Sequence, residues 1–278
     1  MSEAIFDTKA GMFAPIDWFT PRWTSAFEEI SPYLKTGDII LVHGRYPGSF
    51  YVEKLQGCKW GHVCMVVRRE DIDPDSRHGL PELLIWESNT YMEGSAPNLW
   101  PHSTHGNVVK EGPMLVSLEE RLRKNQAGDR DIQFALKTLN CPHKIDFGKL
   151  PALFDLHIAK KFPASDWDVF VSVYLGRNRN RVSAHPEKIV KQHADGEKSN
   201  FMLSIDDEVA NLAGPSHEKE VDRHVMYCSE LIAETYKQLG LLTKRYVSNA
   251  YTPLDFSDKS EIRLLANAAW SNEVYFTM

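Results

Sequence analysis

Trp60-Gly61-His62-Val63-Cys64-Met65-Val66-Val67 is the stretch that decides the fold. A histidine opens a run of five apolar residues, too short for a helix and suited to a buried strand. A second run, Leu83-Leu84-Ile85-Trp86, is followed directly by Glu87. The polar, turn-rich segment between Arg68 and Pro81 makes an antiparallel hairpin with a long loop the simplest connection. In such a pair the start of one strand lies beside the end of the next, which makes His62 and Glu87 potential neighbours.

Working outward, Lys35-Thr36-Gly37-Asp38 is a turn signal ahead of Ile39-Ile40-Leu41-Val42, a run suited to a strand buried on both faces. A Gly/Pro-punctuated loop runs from Gly44 to Gly48, and the segment 49–55 has helical potential. Residues 88–107 read as a long surface loop, of the kind that often serves function. Residues 114–118 read as a strand and 119–125 as a helical turn. Residues 129–139 carry Ile132, Ala135, Leu136 and Leu139 at helical spacing and predict a helix. The strongest helix runs over 228–239, with the stripe Cys228, Leu231, Ile232, Tyr236 and Leu239 and with Gly240 as its stop. After it, 251–256 reads as a loop, and 261–265 and 273–276 as closing strands. The class expected from this order is α+β.

Two regions stand apart. Residues 1–34 form an aromatic N-terminal arm bearing Phe13, Trp18, Phe19, Trp23 and Phe27, expected to pack on the body. Residues 148–222 are the least regular part. Their Trp167, Phe170, Val171, Val173 and Tyr174 favour an inserted helical subdomain over a disordered linker.

Composition limits the function. The 278 residues carry 32 basic and 38 acidic side chains, a net charge of −6, which gives no footprint for a nucleic acid. The densest basic run, Arg177 to Arg181 with Lys188 and Lys191, reads first as a solvated loop. No apolar run approaches the ~18 residues a membrane-spanning helix needs. The first residues show no basic start followed by an apolar stretch, so no secretory signal is expected and the expected setting is cytoplasmic. The four cysteines, at 58, 64, 141 and 228, form no C-x-x-C pair. Neither a metal site nor a disulfide framework is therefore expected, no cofactor is implied, and the thiols are expected to be free.

Cys228 opens its helix, where unpaired backbone N–H groups and the positive end of the macrodipole favour a thiolate. An activated thiol needs a histidine base, and that histidine an acceptor on its other nitrogen. His62 with Glu87 offers this arrangement, and His43 is a weaker base. Position alone also fits the plainer readings, a small core cysteine and a strand-end His and Glu facing water. Glu230 reads as a first-turn charge off the buried stripe that complements the helix dipole.

Taken together, Thr36-Gly37-Asp38-Ile39-Ile40, Trp60-Gly61-His62-Val63, Trp86-Glu87, Tyr227-Cys228-Ser229-Glu230-Leu231-Ile232 and Thr252-Pro253-Leu254-Asp255 resemble the circularly permuted branch of the NlpC/P60 papain-like superfamily. That branch includes the YiiX-like proteins and is related to the lecithin:retinol acyltransferase-like proteins. Asn140-Cys141-Pro142-His143-Lys144-Ile145-Asp146-Phe147 is similar to the family's G-x-x-Y-D-F element, with Ile145 where Tyr is usual. The likeness covers about residues 35–147 and 224–256.

The resemblance implies a permuted papain-like fold: an antiparallel sheet or half-barrel packed against the helix that bears the nucleophile, with residues 35–278 as one domain enlarged by the 148–222 insertion. It implies Cys228 as nucleophile, His62 as base and Glu87 as its orienter. The Cys228 backbone N–H is the natural oxyanion donor, and a hydroxyl of Tyr46, Tyr51 or Tyr227 could add another. The expected activity is hydrolysis of an amide bond in a peptide, a peptidoglycan fragment or an N-acyl amino acid. A thiol acyltransferase or lipase acting on lipid esters, with peripheral membrane contact through residues 12–23, is a second reading. A catalytically silent binding module is a third.

Overall fold

The computed structural model describes residues 24–44, 53, 56–90, 96–101, 111–129, 131–163, 169, 225–260 and 262–278. Their elements, in chain order, are β1 (Ser25–Ala26), α1 (Phe27–Ile30), β2 (Ile39–His43), β3 (His62–Arg68), α2 (Arg69–Ile72), β4 (Leu83–Asn89), β5 (Gly112–Ser117) and α3 (Leu118–Gly128). There follow β6 (Gln133–Lys137), β7 (Leu139–Asn140), α4 (Leu150–His157), α5 (Cys228–Gln238), β8 (Ala269–Trp270) and β9 (Val274–Thr277).

Seven strands form one sheet in the order β1-β9-β6-β2-β3-β4-β5, antiparallel except for the β1–β9 pair. The chain is thus of mixed α+β class. Helices cover both faces. On one, α4 and α5 pack on Leu41, Val63, Met65, Trp86 and Ala135. On the other, α1 and α3 pack on Ile40, Val66, Ile85, Met114, Phe134 and Phe276. Strands covered on both faces need apolar residues at every position, which explains the unbroken runs.

The β3–β4 hairpin forms with Met65 opposite Trp86, and β2 pairs with β3 through Val42 opposite His62. Asp38 fastens the turn before β2. Its carboxylate accepts the Lys35 and Leu139 amides, each at 2.8 Å, and its carbonyl accepts the Val66 amide at 2.8 Å.

Several expectations need correction. The helix expected over 129–139 is the strand β6, sandwiched between β2 and β9. Ala135 enters one core and Phe134 and Leu136 the other, so a short run buried on two faces imitates helical spacing. The closing strand expected at 261–265 is absent over residues 262–265, which run irregularly past Leu241. Within the expected surface loop 88–107, residues 88–89 finish β4, and Ala96, Asn98 and Trp100 are buried along the sheet edge. There the Leu99 N–H donates to the Leu115 carbonyl at 2.7 Å, and the Asn98 side-chain amide oxygen accepts the Leu115 N–H at 3.0 Å. An edge strand covered in this way is protected from stray pairing.

The expected insertion begins too early as drawn. Leu150, Leu153, Phe154 and Ile158 belong to the main core, with the Phe154 ring 4.4 Å from that of Trp86. The chain then reaches Lys161, which forms a parallel bridge to Val225, and Met226 N–H donates to the Lys161 carbonyl at 2.8 Å. Gly112 abuts this junction: a Cβ there would lie 2.4 Å from the Lys160 carbonyl oxygen, at a backbone φ of +97°. Of the aromatic arm, Phe27 packs on Phe276 at 6.3 Å between ring centres; Phe13, Trp18, Phe19 and Trp23 lie outside the described residues.

Candidate active site

Cys228 is the first residue of α5, after Tyr227 in extended conformation. The start of this helix is tied down on two sides. Ser229 Oγ donates to the Tyr251 carbonyl at 2.9 Å and the Tyr227 hydroxyl donates to the Asn249 carbonyl. The segment that receives these bonds is itself closed by Thr252 and Asp255. Thr252 N–H and Oγ1 donate to Asp255 Oδ2 at 2.6 and 2.9 Å, so the Thr-Pro-Leu-Asp stretch is a short 3-10 turn with its own cap. From the sheet side, Ser88 Oγ donates to the Met226 carbonyl.

His62 begins β3. Extending the β3–β4 register by one pair sets Cys64 opposite Glu87, and His62 lies two residues along the same face. His62 Nε2 and Glu87 Oε2 are 2.8 Å apart. The Cys228 sulfur and the same imidazole are each other's leading favourable electrostatic partner. With Nε2 engaged by Glu87, Nδ1 is the nitrogen left for sulfur. Asn89 Nδ2 reaches Glu87 Oε2 at 3.4 Å.

The third partner of Glu87 is Arg121, from the helix α3 on that face. Arg121 Nε lies 2.7 Å from Glu87 Oε1, with both side chains only 2% exposed. The N–H does not aim at the oxygen, and Nη2 has no hydrogen-bond partner among the described residues. The pair is held by charge more than by hydrogen-bond direction.

These neighbours set the protonation states. Burial pushes the Glu87 carboxyl up, but the Arg121 guanidinium, the His62 bond and charge, and the Asn89 amide outweigh it and hold the group at about 2. Burial pulls the His62 imidazolium down, yet the Cys228 thiolate and then Glu87 overcome this and lift it to about 9. Burial pushes the Cys228 thiol up; the charge and bond of His62, with the Val63 and Ser229 N–H groups, bring it below its ordinary value. Burial pushes Cys58 up and Cys64 well up, so those thiols stay protonated. Of the three buried thiols, only that of Cys228 is brought below its ordinary value.

The other site expectations divide. His43 is held by Glu53, Nδ1 to Oε1 at 2.8 Å, in a buried pair, and the imidazole on Cys228 is that of His62. Tyr227 spends its one hydroxyl proton on Asn249, so that proton is not directed to an oxyanion. Tyr46 and Tyr51 lie outside the described residues. Glu230, expected off the buried stripe of its helix, is itself buried, at 8% exposure. Arg121 is absent from the sequence reading, although a signal exists. On α3 the buried positions are Leu118, Arg121, Leu122 and Asn125, a helical stripe with a guanidinium inside it. Among the described residues, no cluster of three or more His, Cys, Asp or Glu is arranged to hold a metal, and no helix is long and apolar enough to cross a membrane.

No protein-family model matches this chain, and no curated protein matches it.

Proposed function

We propose that the protein is a cysteine hydrolase of permuted papain-like fold that cleaves an amide bond through an acyl-enzyme. The observation that carries this reading is the buried thiol at a helix N-terminus, coupled electrostatically to an imidazole whose Nε2 lies 2.8 Å from a carboxylate. A core cysteine kept for packing has no use for an ion pair, and burial alone would leave its thiol protonated, as at Cys64.

In the proposed reaction the Cys228 thiolate attacks the carbonyl carbon, forming the C–S bond while the carbonyl π pair moves to oxygen. The main-chain N–H of Cys228, unpaired in the first helical turn, faces the developing oxyanion. The tetrahedral species collapses as the C–N bond breaks, and His62 gives its proton to the departing amine. A water then attacks the thioester while neutral His62 takes its proton. C–S cleavage regenerates the thiolate–imidazolium pair and releases the acid. Glu87 keeps the imidazole oriented and stabilises its charged form throughout.

The test is a screen of amide, ester and thioester substrates with the wild type and Cys228→Ala. Amide turnover that vanishes in the variant supports the reading. Turnover confined to esters with transfer to an added acceptor replaces it with acyl transfer. Turnover equal in both proteins, or in neither, overturns it.

A further inference from the structure

We propose that Arg121 is a positioning residue of this site: it closes a chain, Arg121–Glu87–His62–Cys228, in which its charge offsets that of Glu87, so that forming the Cys228 thiolate beside the His62 imidazolium leaves no net charge. The inference rests on the reading of Cys228 as the nucleophile and goes beyond it by naming what holds the reactive form in a buried site.

The geometry comes first. Arg121 and Glu87 are each 2% exposed and 2.7 Å apart, one on the helix α3 and the other on the strand β4 that this helix covers. Removing a guanidinium from water is costly unless its donors and its charge are both matched. Here the donors are not matched, since Nε is misaligned and Nη2 has no partner among the described residues. Charge is what matches: Glu87 offers Oε1 to Arg121 and Oε2 to His62, so one carboxylate lies between two cations. Glu87 alone would satisfy His62 and leave the thiolate as an unbalanced buried charge. With Arg121 present, the thiolate completes the balance.

Among the described residues, the other groups facing this chain are few. Cys64, across from Glu87 on β3, stays a neutral thiol. Asn89 on β4 is neutral, and Glu230 in the first turn of α5 has a partner of its own. Without Arg121, forming the thiolate would give Glu87, His62 and Cys228 a net charge of −1 in a largely buried site. The neutral alternative, carboxylate with imidazolium and a protonated thiol, would then be favoured, and the thiolate would appear only at higher pH.

The experiment follows alkylation of Cys228 by iodoacetamide from pH 4 to 10, read by mass spectrometry of the Cys228 peptide, in wild type, Arg121→Met and Arg121→Lys. The expected result is a wild-type acid limb below that of an ordinary thiol, a limb about one pH unit or more higher in R121M, and a limb near wild type in R121K. On the limb, one pH unit is about a tenfold loss of rate. A purely structural arginine would change the folded fraction and leave the limb in place. A folded R121M with the wild-type limb overturns the proposal, as does a wild-type limb at the ordinary thiol position. If R121M does not fold, the Glu87 carboxyl carbon is titrated by NMR in the wild type. Ionisation that persists well below the ordinary glutamate range supports the proposal, and titration within or above that range overturns it. The outcome is separate from the substrate screen. A protein that hydrolyses no amide but shows the R121M shift loses the proposed function and keeps this inference; amide turnover with an unmoved limb does the reverse.

Discussion

The Ser88 hydroxyl donates to the main-chain carbonyl of Met226, joining the strand that carries Glu87 to the residue two places before Cys228. The contact bridges 138 positions of sequence and is buried, with Ser88 fully excluded from solvent. Because side chains alternate along a strand, Ser88 faces the helix α5 while Glu87 faces α3. One short segment of β4 therefore fixes the approach of the nucleophile on one side and the orientation of its base on the other.

Ser88→Ala tests that coupling. The substitution takes a donor from a buried carbonyl, a loss expected to cost about 1–3 kcal/mol. The urea midpoint should fall with an unchanged slope, and alkylation of Cys228 should slow in the folded protein. Alkylation at the wild-type rate would show that the helix start is fixed by Ser229 and Tyr227 without help from β4.

The His62–Glu87 contact yields a different signature. His62→Ala removes the cation that brings the Cys228 thiol down. Alkylation near pH 7 should drop by about tenfold or more, one pH unit on the limb being a factor of ten. Glu87→Gln keeps the shape and removes the charge that helps lift His62 to about 9. Since amide cleavage needs a protonated imidazole, the alkaline limb of kcat/KM, expected near pH 9 in the wild type, should move down in E87Q. An alkaline limb that does not move would assign it to another group.

Two glycines share a left-handed backbone and differ in their surroundings. At Gly112, with φ +97°, a Cβ would sit 2.4 Å from the Lys160 carbonyl oxygen. At Gly240, with φ +76°, a Cβ would meet nothing within 4 Å. Gly240→Ala should cost only the backbone term, about 1–2 kcal/mol. Gly112→Ala must also push two backbones apart and should cost about 3 kcal/mol or more. It should slow Cys228 alkylation too, since Lys161 holds Met226. Urea unfolding of the two variants compares them directly, and equal midpoints would contradict the close approach at Gly112.

What was legible in the sequence follows physical range. The β2, β3 and β4 strands, the α5 helix and the meeting of His62 with Glu87 all came from local signals: unbroken apolar runs, one amphipathic stripe, and the turn between two strands. β6 was missed because a strand buried on both faces carries no alternation, and Ile132, Ala135, Leu136 and Leu139 fit a helical stripe although the chain there is a sandwiched strand. The packing of residues 150–158 was hidden because α4 is anchored by distant aromatics, Trp86 and Trp100. Arg121 shows the same limit. Its place among Leu118, Leu122 and Asn125 marks it as buried, but only the sheet between α3 and α5 reveals Glu87 as the partner that makes this burial tolerable.

His157 on α4 gives the protein a pH dependence unrelated to Cys228. Its ring is buried, at 4% exposure, and neither nitrogen has a hydrogen-bond partner among the described residues. Burial first, then the charge of Lys160, pulls the imidazole down to about 4, against a weaker opposite pull from Glu234. In the unfolded chain the ring takes its proton near the ordinary 6.5. Between these values the unfolded state binds more protons, so this group destabilises the fold as pH drops from about 6.5 towards 4. The full loss is about 3 kcal/mol. His157→Leu removes the titration, so the variant should gain on the wild type as pH falls, with most of the change between pH 6.5 and 4.5. Asp38, whose carboxyl burial pushes up to about 6, titrates in the same window with the opposite sign. It is present in both proteins and cancels in their difference. Urea midpoints of wild type and H157L at pH 7.5, 6 and 4.5 check the expectation. Stability curves that stay parallel across the three would mean that His157 is protonated within the fold.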